Sequence, residues 1–352
     1  MSSSALEFRW ARGRELRGMA EQYMQRHPHA SFAHDSAWRR TAWECYRIPS
    51  PVLVALRGGA VAGAAPLSLL LNPLSGPYAV IGPFASYADV LADDPEVAGG
   101  ILRNATRRLR WLGVGHVHVR SAAGPVSAAP QRESGVAGRF ISPRVDLRAG
   151  AEVLWEKVLE VRARNAVRKA RKLGVEVLAV DDLRDFMAVI DAGNRRLGSP
   201  FHGARYFRLL RRHFGARLDL WLAHVGGQPA AVMANIVHRD TLHYVYGQNV
   251  FELRSTAANA LLVWHMIEGA CARGLATVDL GRSEVDSPHQ QFKRQWGAQD
   301  APLWDLRVAA RARSLPDITP TNPKYSGLQA RWSRLPLSVT RRLGPLLIRG
   351  FG

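Results

Sequence analysis

One stretch of this chain is written twice. Val52-Leu53-Val54-Ala55-Leu56-Arg57-Gly58-Gly59 leads into an apolar run from Val61, and Leu220-Trp221-Leu222-Ala223-His224-Val225-Gly226-Gly227 leads into another from Pro229. Each reads as a strand, a Gly-Gly turn and a second strand, which is a hairpin signal. A short aromatic helix precedes each hairpin, Trp38 to Tyr46 in one case and Tyr206 to Phe214 in the other. A long helix ending near glycine follows each, Ile101 to Leu112 and Ala258 to Arg273. Then comes a strand ending in Arg-Ser, Val117 to Ser121 and Val278 to Ser283. The spacing between matched elements stays at roughly 160–170 residues, a constancy that chance similarity rarely keeps and that two copies of one folding unit explain.

The second copy is the cleaner one. It reads as strand Val175 to Val180, helices Leu183 to Leu197 and Ala204 to Phe214, and strands Arg217 to Val225, Ala230 to His238 and Leu242 to Tyr246. Helix Thr256 to Arg273, strand Ala276 to Leu280, a short helix at Gln290 to Trp296 and a last strand, Leu303 to Val308, complete it. This order mixes an antiparallel hairpin region with one parallel crossover, so the fold class is α/β with a mixed, α+β-like sheet. Between the copies, Glu152 to Leu173 reads as one helix stopped at Gly174. Leu315 to Tyr325, rich in proline and polar residues, reads as a linker. The expected division is a degenerate first domain (1–150), a basic linking helix (151–174), a second domain with the active cleft (175–310) and a basic amphipathic tail (311–352).

Charge narrows the partners. The 352 residues carry 48 basic and 29 acidic side chains, a net charge of +19. Such a surplus attracts polyanions: RNA, anionic lipid or nucleotide-linked substrates. It also follows from an arginine-rich composition alone. The linking helix concentrates it in Arg162, Arg164, Arg168, Lys169, Arg171 and Lys172, and the tail from Arg311 carries eight basic residues against Asp317. Apolar runs such as Val61 to Leu71 are broken by glycine or proline and too short to span a bilayer. The first residues show neither a basic stretch nor an apolar core, and Cys45 and Cys271 read as reduced, buried thiols, so a cytoplasmic protein is expected.

Three stretches carry a resemblance. Arg162 to Val175 is similar to a basic helix running into a Gly-Val strand. Asp279-Leu280-Gly281-Arg282-Ser283, followed by Phe292-Lys293 and Trp296-Gly297, resembles a "DfGR…FK…G" block. Thr319-Pro320-Thr321-Asn322-Pro323-Lys324-Tyr325, with Trp332, Leu335-Pro336-Leu337 and Leu343-Gly344-Pro345, closes the match. Together they resemble the FemABX family of aminoacyl and acyl transferases, built on the GNAT acyltransferase fold. The last stretch resembles the FemAB-like proteins associated with exosortase/PEP-CTERM and exopolysaccharide loci. The resemblance implies two tandem GNAT-like domains. It also implies transfer of an acyl or aminoacyl group onto an amine of a cell-envelope or exopolysaccharide precursor. The donor is acyl-CoA or aminoacyl-tRNA as a co-substrate, with no tightly bound cofactor. The acceptor is a small molecule or a lipid-linked saccharide or peptide.

Acyl transfer to an amine requires a deprotonated nucleophile, a stabilised oxyanion and aligned reactants, without a covalent intermediate. By the resemblance, Lys293 lies in the acyl-transfer site; otherwise it is a solvated lysine on a short helix. Arg282 sits where a strand ends, ready to fork onto a carboxylate or phosphate, or else pairs with Asp279 or Glu284. Asp279 either takes part in catalysis or holds loop amides. Ser283 and Phe292 flank these groups. Tyr244, Tyr246, Gln248 and Asn249 end the strand that in GNAT-like folds splays from its parallel neighbour; aromatics there also serve as core. Arg164, Arg168 and Lys169 contact phosphates or form a solvated face. GNAT enzymes bind the CoA pyrophosphate with a glycine loop at a helix start. Here Phe251 to Asn259 has no glycine, leaving Ser255, Thr256 and Asn259 to dress that start. No metal ligands are expected, and His202 and His265 read as core or surface residues. The tail interleaves leucines with arginines, so it lies on anionic lipid or docks on the body. A basic scaffold without catalysis is the remaining alternative.

Overall fold

The computed structural model describes residues 5–126, 133–311, 315 and 325–352. The chain forms two compact units. The first comprises 1–140, 302–319 and 349–352, and the second 141–301 and 320–348. The expected boundaries at 150, 174 and 310 therefore shift. The linking helix lies inside the second unit, and the segment after 310 is divided between the two.

The first unit holds β1 (Leu6–Trp10), α1 (Arg14–Arg26), α2 (Ser36–Tyr46), β2 (Val52–Arg57), β3 (Ala60–Asn72), β4 (Gly76–Ile81), β5 (Leu91–Ala92), α3 (Pro95–Leu109) and β6 (His116–Ser121). Its sheet runs β1-β2-β3-β4-β6 and is antiparallel except for β4 with β6. The long strand β7 (Glu133–Asp146) carries the chain into the second unit. There follow α4 (Gly150–Val153), a π turn (Leu154–Val158), α5 (Val161–Lys172), β8 (Glu176–Ala179), α6 (Leu183–Arg196), α7 (Ala204–Phe214), β9 (Leu218–Val225), β10 (Gln228–His238), β11 (Thr241–Asn249), α8 (Ala258–Ala272), β12 (Thr277–Asp279), β13 (Ser283–Glu284) and α9 (Pro288–Arg294). β14 (Gln299–Ala309) comes next, and α10 (Ser326–Arg334) and α11 (Leu337–Ile348) end the chain. In the second unit the strand order is β7-β12-β11-β10-β9-β8, parallel only between β11 and β12.

Two expectations are corrected here. The last strand does not complete the second copy. β14 pairs antiparallel with β6 of the first unit, Trp304 opposite Ser121 through Ala309 opposite His116. Period-two alternation shows that a strand exists but not which edge it joins. The linking segment is not one helix either. Leu159 and Glu160 break it, because Leu159 turns extended (φ −65°, ψ 135°) after the π turn, and α5 restarts at Val161.

Burial explains the second unit's elements. α8 is apolar all round and is sunk in the core through Leu261, Leu262, Trp264, Met266 and Ile267. α5 packs its Ala163, Val167 and Ala170 stripe into the same cluster and leaves its cations outside. β10 is buried over most of its length, as a central strand covered on both faces must be. No helix among the described residues is long and apolar enough to cross a membrane.

Candidate functional site at the parting of two strands

β11 and β12 pair only from Thr241–Thr277 to His243–Asp279. β11 then continues to Asn249 along β10, while β12 ends. The register of β11 with β10 slips between Ala234 and Asn235, which makes Val245 an extra residue. The two parallel strands thus part at the level of Tyr244, and a fork opens beside the loop 280–282.

Asp279 sets that loop. It is 1% exposed and accepts Ser142 Oγ at 2.6 Å, the Gly281 amide at 2.8 Å and Arg144 Nε at 3.2 Å. Burial pushes its carboxyl up, yet its surroundings hold it below the usual carboxylate range. The neighbouring His243 is itself neutral, pushed down by burial to about 4. Arg144 and the two hydrogen bonds therefore carry the effect. An ionised carboxylate with its oxygens occupied is a loop anchor and a poor proton acceptor, so the catalytic assignment of Asp279 gives way to the loop-amide one. Gly281 follows at φ +73°, the left-handed conformation that this sharp exit from a strand demands.

Lys293 reaches the loop from α9. Its Nζ donates to the carbonyl oxygens of Gly281 at 2.8 Å and Arg282 at 3.2 Å. An ammonium has three N–H donors, so one remains. Desolvation lowers its pKa to about 8, against the pull of Asp279 and with help from Arg282. Ser283 is 4% exposed, and its Oγ has no protein partner. Arg282 is half-buried on the same loop. Phe292 stands edge-on to Trp296 at 6.1 Å, against the core. The α9 end joins the start of α5 through Glu160 N donating to Gln295 O at 3.0 Å.

The strand-end residues divide between faces. Tyr244 packs with the α8 core, its hydroxyl lying over Gly247, and burial pushes it up to about 12. Tyr246 is 8% exposed on the other face, with its hydroxyl 3.0 Å from Tyr206 and 3.3 Å from His202. His202 stacks on Tyr206 at 3.8 Å, and burial lowers it to about 3. Tyr246 is thus part of an aromatic core, and the structure does not bring it together with Lys293. Gln248 donates to Asn194 at 3.4 Å; Asn249 is half-buried at the strand's end.

The start of α8 replaces a glycine loop with a 3-10 turn, Phe251–Thr256, and Ala257 at φ +59°. No side chain caps the helix. Thr256 donates its hydroxyl to Leu253 O at 2.6 Å, which leaves the oxygen only as an acceptor. Ser255 is exposed and Asn259 half-buried. Arg254 and Arg196, which sequence reasoning missed, lie over the Phe251 ring at 3.8 and 4.4 Å.

On α5, Arg164 Nη1 donates to the π-turn carbonyls of Trp155 and Glu156 at 3.1 and 2.6 Å, a structural use of that nitrogen. Arg168 and Lys169 are exposed, Arg168 lying 5.7 Å from the Trp155 ring. The tail helices α10 and α11 pack on α6, with Arg341 paired to Asp191 at 2.7 Å and Arg195 donating to Leu335 O at 3.3 Å. The stretch from Thr319 to Lys324 falls outside the described residues. Sequence reasoning also missed Ser142, Arg144 and His243. Only His243 carried a signal, being one residue before the aromatic strand end.

Residues 160–294 match the acetyltransferase (GNAT) domain family model. FemX has a similar fold, with a TM-score of 0.63 and 15% identity, over 85% of this chain and 96% of that one. So does a tandem GNAT protein from the clavulanic acid biosynthesis pathway (0.57, 17%, 89% and 100%). A third is the C-terminal domain of a putative lysylphosphatidylglycerol synthetase from Agrobacterium fabrum (0.56, 12%, 83% and 90%). No curated protein matches the chain.

Proposed function

Starting from a FemABX-like chain folded as two tandem GNAT-like domains, we propose that it is an N-acyltransferase using an acyl thioester of CoA, with chemistry at the fork between β11 and β12. The observation that carries this reading is Lys293, a half-buried ammonium lowered to about 8 with one N–H left over, beside the parting strands. The acceptor's free amine attacks the thioester carbonyl carbon. The carbonyl oxygen gains negative charge, and Lys293 donates its remaining N–H to it. The C–S bond breaks, the thiolate leaves and takes a proton, and the amine's proton passes to water. Nothing covalent forms on the protein. The uncapped start of α8, with Arg254 and Arg196 beside it, suits the donor's phosphates.

The acceptor is an amine on a cell-envelope or exopolysaccharide precursor. The surplus of 48 basic over 29 acidic residues favours an anionic carrier for it. Leu343, Leu346 and Leu347 of α11 are exposed among Arg341, Arg342 and Arg349, a surface suited to anionic lipid, which sedimentation with phosphatidylglycerol vesicles tests. Exposed Arg168, Lys169, Arg171 and Lys172 on α5 favour a second reading, aminoacyl-tRNA as donor.

The deciding experiment offers acetyl-CoA or charged tRNA with amino-sugar and peptide amines and follows amide formation by mass spectrometry. Amide from acetyl-CoA, lost in Lys293→Met, supports the proposal. Amide only from charged tRNA moves the donor to the second reading. Stabilisation by neither donor, and full pathway output with Lys293→Met, leaves a scaffold.

A further inference from the structure

The first unit contains a buried layer of charge that the transfer chemistry does not use. His116, His118 and Arg120 alternate along one face of β6. Asp305 and Arg307 of β14 stand opposite them, and Tyr78 of β4 closes the side. None is more than 6% exposed. Asp305 Oδ1 lies 3.0 Å from His118 Nε2 and 3.3 Å from an Arg307 terminal nitrogen. Tyr78 stacks on His116 with ring centres 5.3 Å apart, and Arg120 reaches the Gly82 carbonyl at 3.4 Å.

The charges of this layer do not balance. Two guanidiniums share one carboxylate. Burial lowers both imidazoles to about 4, so they contribute no charge near neutrality. Four nitrogens in the layer also have no hydrogen-bond partner among the described residues: His116 Nε2, His118 Nδ1, Arg120 Nε and Arg307 Nε. Native interiors rarely leave buried donors unpaired, and still less a buried positive charge uncompensated. The residue types present, two forked guanidiniums with neutral imidazoles, are those that hold phosphate and carboxylate oxygens.

We infer that this layer is a binding site for a small oxyanion, a phosphate or carboxylate group held between Arg120 and Arg307 with His116 and His118 beside it. The segment Arg349–Gly352 is tied to the layer through Tyr78. Gly352 N donates to the Tyr78 hydroxyl at 2.8 Å, and Asn72 Nδ2 donates to Gly350 O at 3.1 Å. A Cβ on Gly352 would stand 2.8 Å from Leu70 Cδ2 and 3.2 Å from Val80 Cγ1, so the segment lies against side chains of β3 and β4. Displacing this short segment is the way in. The inference is independent of the fork chemistry, because it rests on the other unit and different residues.

The test is a titration of the full chain, labelled with 15N at histidine, at constant ionic strength. Inorganic phosphate and acetate are the separate probes, and the ring signals of His116 and His118 are assigned with His116→Gln and His118→Gln. Saturable shifts of these two signals with either probe are the expected result, and the probe that acts tells phosphate from carboxylate. Arg307→Gln and Arg120→Gln, each checked by near-ultraviolet circular dichroism, weaken the response at least tenfold. If neither probe moves the two signals in the wild-type chain, or if a folded arginine variant titrates like wild type, the site is not there. The wild-type titration decides the matter if neither variant folds.

Discussion

Helix α3 of the first unit starts at Pro95 behind Asp94, whose carboxylate accepts Val97 N at 2.9 Å and pairs with Arg57 at 2.8 Å. Helix α8 of the second unit starts behind Ala257, in the left-handed conformation and without a side-chain cap. The same element of a duplicated unit has thus taken two fates. In one copy the protein's own carboxylate meets the helix's unpaired amides and its dipole; in the other no side chain does. The loops after the parallel strands show the reverse, a shared device. Asp89 accepts Ser121 Oγ at 2.5 Å and the amides of Ala122 and Ala123 at 3.0 Å, as Asp279 accepts Ser142 Oγ and Gly281 N. Both units thus tie that loop to a buried aspartate, although Asp89 precedes β5 while Asp279 lies on β12 itself.

The largest expected effect tests the shared device. Asp279→Ala and Asp89→Ala each destabilise the chain by about 3 kcal/mol in urea unfolding, because each strands buried donors. A cost at one site alone would break the symmetry.

Next comes the asymmetry. Lys293→Met lowers kcat by about a hundredfold with donor affinity nearly unchanged, the scale of one lost oxyanion donor. Its pH behaviour carries two opposite signs. Activity falls as pH rises through about 8, as the ammonium is lost. Stability rises over the same limb toward 10.5, because the unfolded chain then binds the extra proton. Rate profiles and melts across that range check both signs, and parallel curves would refute the assignment.

Arg254→Ala raises the donor KM about tenfold, the size of a charge-assisted hydrogen bond, while Arg57→Ala in the first unit leaves it unchanged. Equal responses would mean that the two helix starts are alike. The smallest effect is Ala257→Gly, which stabilises by about 1 kcal/mol by relieving the left-handed alanine.

The legible parts of the sequence were local. α7 falls at Ala204–Phe214 as its apolar stripe demands, and β8 to β12 appear in the expected order. β11 runs longer than expected because Gly247 and the polar Gln248 and Asn249 resemble a turn. β7 was missed because Gly135, Gly138 and Pro143 interrupt its alternation. The Asp279 loop was visible as an aspartate two residues before a glycine. Its holders were not, since Ser142 and Arg144 arrive by strand register from more than a hundred residues away. The face that Tyr246 takes depends on the slip at Val245, which no periodicity reveals.

The strand borrowed by the first sheet constrains how the chain is made. A nascent polypeptide has synthesised β6 long before β14, so the His116–Arg120 row waits unpaired while nearly two hundred further residues emerge. An amino-terminal fragment cut at 140 would leave that edge bare, offering it to any passing strand. Expressing the first half alone should therefore yield aggregates, and supplying residues 299–311 as a separate peptide should rescue its solubility.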